Sequence, residues 1–503
     1  MPQFFKSILS VSQATQAAVA VTAGMPPITL SVDDASSVKA VARTLAEGVM
    51  GYYQPNNSAI LVGDLPDPYY WWEAGAMWGA MLDYYYYTND STYNDQIITA
   101  LTAKVNTGTN FDFVPVEHAS EEGNDDLGFW AFAVMAAAER NFPQPDASVP
   151  SWLQLGKNIF SSLESRWNTS ACAGGLLWQI YASNPNGLNY KNSVSNGGFF
   201  QLAARLARVT GDQMYLDWAT KIWDWSAAIG MIGTNYIVFD GAHASANCTD
   251  MNPVSFSYSN SIYMYGAAVM ANTTGDPVWA DRAASILKAV STRFFYPDAN
   301  ATNVMYESAC ETVNTCNTDM KSFKAYMSRF MWQSTQMLPS LKPNVTTLLR
   351  TSALAAARTC TGGESASECG MRWYVGGFDN NTGLGQQMSA LETVQGLLID
   401  YAAPPLKGDA VQVVRDEPWT SGSAATTAAT ATTTTSSTTI AADPTSETVI
   451  TPAVSSTTSV PATTTSSAAP AKRSTTKEGA SGIVQVNKLA LSLAAAAFLV
   501  LSM

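Results

Sequence analysis

The sequence predicts an all-α fold, an (α/α)6 toroid of six helical hairpins, followed by a disordered Ser/Thr-rich stalk. Three observations point there. Apolar residues recur at helical spacing from about residue 25 to residue 405. One turn composition recurs at three helix corners. Beyond Trp419 the chain collapses to Ser, Thr, Ala, Val and Pro as far as Thr476, a composition that cannot bury enough surface to offset its ordering entropy.

Taken in order, residues 1–23 read as a weak signal peptide. Lys6 is its charged residue, and Ala18-Val19-Ala20 or Val21-Thr22-Ala23 its cleavage site. Ser7, Ser10, Ser12, Gln13, Thr15 and Gln16 dilute the apolar stretch between. Residues 24–405 form the folded unit. Val38, Val41, Ala42, Leu45 and Val49 mark one face of its first helix. Five helices follow near 69–88, 91–106, 125–141, 150–167 and 195–210. Six more lie near 213–229, 258–272, 276–293, 320–338, 345–359 and 384–402. The corners Thr88-Asn89-Asp90, Thr210-Gly211-Asp212 and Thr274-Gly275-Asp276 share a logic. Asn or Gly suits the left-handed residue that ends a helix, and the Asp after it suits the next N-cap. Pro277 is allowed in a first turn. Twelve helices pair into six hairpins, and closing them into a ring buries both flanks of each; an open α-solenoid is the alternative. Residues 406–478 form the Ser/Thr-rich linker. Residues 479–503 carry small residues Gly479-Ala480-Ser481, a polar spacer and an apolar tail from Leu489 to Met503, the signal for a GPI anchor. Fifteen apolar residues are short for a bilayer span, which needs about 20.

Only 13% of the 503 residues are charged, and the net charge of −13 makes a phosphate backbone an unfavourable partner. No nucleic acid partner, metal or cofactor is expected. Sequons at Asn56, Asn89, Asn168, Asn247, Asn272, Asn300, Asn344 and Asn380 fit the secretory pathway, with the outer face of the plasma membrane or the cell wall as destination. Six cysteines in an exported chain imply disulfides. Cys310–Cys316 and Cys360–Cys369 are close enough to staple single loops, leaving Cys172–Cys248 as a long bridge, one of fifteen arithmetical connectivities.

In a toroid the inner helices run parallel, so their first turns gather at one end. With inner helices at 69, 125, 195, 258, 320 and 384, that end holds Tyr69 to Glu73, Asp125, Asp126, Ser195, Asn196, Tyr258, Asn260, Lys321, Gln386 and Gln387. Aromatic faces, amides and two adjacent acids make a carbohydrate cleft. Asp125-Asp126 could simply cap the helix and favour its dipole. They also suit a retaining glycosidase, whose carboxyls stand roughly 5–5.5 Å apart with one ionised and one protonated. An acid that must stay protonated implies an acidic optimum. Glu121 and Glu122 read as solvated loop charges, and His118 and His243 as loop histidines. Asp240 either turns a loop or holds a sugar hydroxyl.

Several strings resemble glycoside hydrolase family 76, the α-1,6-mannanases, in its fungal GPI-anchored cell-wall branch. They are Tyr69-Tyr70-Trp71-Trp72-Glu73-Ala74-Gly75-Ala76-Met77-Trp78-Gly79, Gly123-Asn124-Asp125-Asp126 through Phe129-Trp130, Tyr190-Lys191-Asn192-Ser193 with Ser195-Asn196-Gly197, Leu202 to Arg208, and Gly385 to Glu392. The resemblance implies an (α/α)6 fold and a retaining mannan endo-1,6-α-mannosidase with Asp125 as nucleophile and Asp126 as general acid/base. From the reading of the cleft itself, the expected substrate contacts are Trp71, Trp72, Asn192, Asn196, Asp240, Tyr258 and Gln387. Expected partners are α-1,6-mannan or the mannose of a GPI glycan, wall glucan as acceptor, and the membrane through a GPI lipid. The alternatives are a transglycosylase that moves GPI-linked mannoproteins to wall glucan, and a non-catalytic glycan-binding wall protein. A polysaccharide lyase on a similar toroid is disfavoured, because the cleft carries few Lys or Arg to meet uronates.

Overall fold

A computed structural model describes residues 28–184, 187–298 and 301–412. The expected signal peptide, the anchor signal and the linker from residue 413 onward lie outside these residues.

Amphipathic helices form the outer ring. They are α1 (Ala35–Met50), α3 (Asn94–Thr102), α6 (Trp152–Ser165), α8 (Gln213–Ala228), α10 (Pro277–Arg293) and α12 (Lys342–Thr359). The five apolar positions that predict α1 are all buried. The inner ring is α2 (Trp71–Thr88), α5 (Asn124–Glu139), α7 (Ser193–Thr210), α9 (Ser257–Thr274), α11 (Phe323–Met337) and α13 (Leu384–Gln395). Each inner helix packs on the next, and α13 packs back on α2, so the ring is closed rather than an open solenoid. An inner helix has neighbours on both flanks, an outer helix behind it and the filled axis in front. Every residue of α5 and α13 is accordingly buried. A helix buried on all sides needs no polar face.

The corners form as the sequence predicts. Asn89, Gly211 and Gly275 adopt the left-handed conformation, with φ of 61°, 73° and 69°. Asp212 and Asp276 accept from the backbone N–H two residues on and cap α8 and α10. Asp90 instead closes a turn to Thr92, so α3 starts at Asn94. The expected 91–106 helix also breaks at Ala103, and a short α4 (Lys104–Thr107) follows. There Asn106 turns inward to accept from Trp71 Nε1 at 3.0 Å. The last expected helix, 384–402, tightens into a 3-10 turn from Gly396.

The folded unit also runs past the expected boundary at 405. Leu406 N donates to Glu139 O, Arg208 Nη1 donates to Leu406 O, and Gln412 N donates to Asn141 Oδ1. Residues 406–412 are thus bound to the toroid and do not belong to the linker.

Buried ion pairs lie along the inner helices away from their N-termini. Arg205 grips Glu139 through two bonds of 3.0 and 2.9 Å. Arg329 joins Glu392 at 2.7 Å and Asp83 at 3.4 Å, and Arg140 also pairs with Asp83. The disulfides are Cys172–Cys248, Cys310–Cys316 and Cys360–Cys369. Among the described residues no helix is long and apolar enough to cross a membrane.

Candidate active site

The N-terminus of α5 is tied to the segment that precedes β1. Asn124 N donates to Trp178 O and Asn124 Nδ2 to Leu177 O, each at 2.8 Å, while Arg166 Nε donates to Asn124 Oδ1 at 2.7 Å. Asp125 and Asp126 follow in the first turn, where the helix dipole favours negative charge. The two differ. Asp126 Oδ2 accepts from Gly123 N at 2.7 Å and caps its own helix. Asp125 Oδ2 accepts from Asn192 Nδ2 at 2.9 Å, and its Oδ1 has no partner although it is buried. Capping therefore accounts for one oxygen of Asp126; at Asp125 the first-turn N–H groups of Asp125 and Asp126 favour the charge, yet its Oδ1 is left without a partner.

Asn192 reaches Asp125 because α5 and α7 touch. Gly128 and Gly198 face each other, and a Cβ on Gly128 would lie 3.6 Å from the Gly198 Cα. A small antiparallel sheet leads into α7: β1 (Tyr190–Asn192), β2 (Gly241–His243) and β3 (Met251–Asn252), with Asn192 opposite Gly241 and Gly241 opposite Asn252. That register delivers Asp240, the residue before β2. Its Oδ2 accepts from Tyr190 Oη at 2.7 Å and from Asn252 Nδ2 at 2.9 Å. Asp240 is thus held by side chains of the sheet, which a reading as a bare loop does not anticipate.

Across the axis, Trp72 Nε1 donates to Asp319 Oδ1 at 3.1 Å, and Asn317 Nδ2 donates to its other oxygen at 3.2 Å. Below them lies an aromatic layer. Trp72 packs on Phe129 with centroids 4.5 Å apart, and Tyr258 stacks on Phe323 at 3.7 Å.

Burial governs the protons here. It pushes Asp125 up to about 7 against the Asn192 hydrogen bond. Burial and then repulsion from Asp125 lift Asp126 well above the ordinary carboxyl range, opposed by Gly123 N–H. The pair is thereby split, with Asp125 the more acidic partner. Burial likewise raises Asp240 to about 6 and Asp319 to about 7. Glu73 is raised well above its usual value by burial and by Asp319, and its Oε1 is unpartnered. No Lys, Arg or His forms an ion pair with these five acids among the described residues. One acid ready to ionise beside one that stays protonated is the arrangement that acetal cleavage requires.

The other expected contacts divide. Asn192, Asp240 and Tyr258 lie around Asp125, and after burial Tyr258 is raised by Asp240, Asp125, Asp319 and Glu307 in that order; Trp72 is linked to the group through Asp319. Trp71 points elsewhere: its ring stacks on His118 at 5.0 Å and packs on Trp130. Asn196 spends its amide on Leu176 N, Leu176 O and Asn192 O. Gln387 holds the backbone of Cys369 and Ser367. The polar groups of Asn196 and Gln387 are thus engaged with backbone, and the Trp71 ring with neighbouring side chains. Glu122 is a correction. It is wholly buried with both oxygens unpartnered, and burial raises it to about 9. His118 is also buried, between Asp64 and Glu121. Glu73 stands in the first turn of α2, at the end where the sequence places it, whereas Asp319 carries no mark in the sequence as a cleft acid.

A closed ring of helical hairpins with a split pair of acids at its mouth defines an α/α-toroid glycosidase. The sequence profile of glycosyl hydrolase family 76 spans residues 37–409, and the chain belongs to that family. It is 43% identical over 378 residues to the mannan endo-1,6-alpha-mannosidase DCW1 of Candida glabrata, covering 75% of this chain and 83% of that one. The DCW1 enzyme of Saccharomyces cerevisiae is 42% identical over 380 residues, with the same coverage of 75% and 83%. The crystal structure of Dfg5 from Chaetomium thermophilum in complex with glucosamine superposes with a TM-score of 0.73 at 39% identity, covering 77% of this chain and 96% of that one.

Proposed function

We propose that the chain is a retaining endo-α-1,6-mannosidase in which Asp125 is the nucleophile and Asp126 the general acid/base. The observation that carries this is the state of Asp125: one oxygen fixed by Asn192, the other buried and without a partner, beside a carboxyl held protonated. Asp125 Oδ1 attacks the anomeric carbon while Asp126 gives its proton to the departing glycosidic oxygen. The ionised Asp126 then takes a proton from the acceptor, whose oxygen displaces Asp125 and restores both acids. Trp72 and Tyr258 supply ring faces for the sugar, and Asp240 an acceptor for its hydroxyls.

The acceptor can be water or a sugar hydroxyl, since one glycosyl-enzyme serves both. Transfer is the second reading. The Chaetomium relative is in complex with glucosamine, and the acids of the lining that ionise most readily, Asp240, Asp125 and Asp319, suit a glycan that carries an amino sugar. On this reading the protein sits at the outer face of the plasma membrane or in the wall through a GPI lipid, and passes mannose-linked cargo to glucan. The test is to incubate the protein with an α-1,6-mannooligosaccharide or a GPI-glycan mimic, with and without a glucan oligosaccharide, and to weigh the products. Shortened mannosides support hydrolysis, and a mannosyl-glucan adduct supports transfer. Binding with no product restores the non-catalytic alternative.

A further inference from the structure

Lys191 stands in the string Tyr190-Lys191-Asn192-Ser193 and has no part in the chemistry proposed above. It is the middle residue of β1, wholly buried, and has no acidic partner among the described residues. Its Nζ instead donates to three main-chain carbonyls, those of Asn168 at 2.9 Å, Ala171 at 2.8 Å and Gly174 at 2.6 Å. An ammonium has three hydrogens, and all three are used. A buried cation without a counter-ion is costly unless dipoles are aimed at it. The segment aims them through an uncommon backbone: Cys172, Ala173, Gly174 and Gly175 all have positive φ, at 60°, 54°, 152° and 95°. Two of the four are not glycine, so the segment is strained; the Cys172–Cys248 disulfide and Trp225 Nε1 hold it at Cys172, and Lys191 holds the carbonyls on either side.

The segment continues into the supports of Asp125. Asn196 grips both polar groups of Leu176, and the carbonyls of Leu177 and Trp178 receive Asn124, the residue before Asp125. Trp178 N donates back to Tyr190 O at 2.7 Å. On the other side of Lys191 along β1 is Asn192, which donates to Asp125 itself. We propose that Lys191 is a positioning residue of the reaction centre: its ammonium gathers the carbonyls of residues 168–174 and so fixes Asn124 and Asn192, between which Asp125 is held. The inference rests on Asp125 being the nucleophile. Because Lys191 acts from behind the sheet, its loss weakens turnover and leaves substrate binding nearly intact.

The experiment compares kcat and KM on α-1,6-mannotriose for the wild type, Lys191→Met, Asn192→Ala and the double variant. Lys191→Met is expected to lower kcat by at least about tenfold with KM within about threefold. The double variant is expected to be within about threefold of the weaker single variant, because both act through one carboxylate. Losses that multiply, or an unchanged kcat in Lys191→Met, overturn the proposal; a merely structural role would not produce the coupling to Asn192. Should Lys191→Met fail to fold, Lys191→Gln keeps two donors and carries the same comparison. A wild type without turnover overturns the nucleophile assignment and this inference with it, whereas turnover with multiplied losses overturns the inference alone.

Discussion

Removing the Asn192 amide is the sharpest perturbation of the proposed nucleophile. The bond from Asn192 Nδ2 to Asp125 Oδ2 is 2.9 Å long and buried on both sides. A hydrogen bond to an ionised group contributes about 1.5–3 kcal/mol, and each pKa unit corresponds to about 1.4 kcal/mol. Asn192→Ala is therefore expected to raise Asp125 by about 1–2 units above its value of about 7. In the free enzyme the nucleophile must be ionised, so the acid limb of kcat/KM moves to higher pH by the same amount. The alkaline limb reports protonated Asp126 and stays in place to first order. At a pH below the limb, activity falls by about 10–100-fold. Burial of both acids is also expected to move the optimum upward from the acidic one that the sequence suggests. The assay is initial rates on α-1,6-mannotriose across the pH range at constant ionic strength. A uniform loss with the limb unmoved would show Asn192 contacting the sugar rather than tuning Asp125.

Three further expectations concern the catalytic pair and the buried charges. Asp125→Asn and Asp126→Asn should each lower turnover by at least about a thousandfold while the melting temperature holds or rises, since a costly buried acid is removed; normal turnover in either variant would refute the assignment. Stability should decline with pH. Asp64, Glu307 and Glu122 are raised by burial to about 6, 7 and 9, so the folded chain keeps protons that the unfolded chain releases near pH 4. That stability is full below the unfolded values and lost as pH rises through the folded ones. Calorimetry should find a lower melting temperature at pH 8 than at pH 5, with Glu122→Gln flattening the decline; a flat or rising wild-type profile contradicts this. Arg205→Met strands Glu139 in the core and should cost about 3–5 kcal/mol by denaturant titration, with a loss under about 1 kcal/mol counting against a gripped pair.

The ring was legible because its outer helices carry a one-sided apolar stripe and its corners carry Gly or Asn followed by Asp. The inner helices have no such stripe, and it was their hairpin partners that located them. The mini-sheet was invisible, since strands of two or three residues show no alternation. Trp71 and Trp72 look equivalent in sequence, yet neighbours on a helix point about 100° apart, so only one can face the axis. Asn196 and Gln387 were rightly placed on first turns, but a first-turn position does not say whether an amide serves a ligand or a loop. Asp319 meets Trp72 across 247 residues, and no local pattern announces that contact. Glu122 reads like its half-buried neighbour Glu121 because its burial is a tertiary property. The Asp125-Asp126 pair stood out from its chemistry, and its likeness to family 76 supplied the sugar.

The most direct test is the anomeric form of the first product. Proton NMR of the α-1,6-mannooligosaccharide reaction, read before mutarotation, should show the α-anomer appearing first, because two displacements at the anomeric carbon restore its configuration. If the β-anomer leads, a single displacement by water is at work, and Asp125 is not the nucleophile.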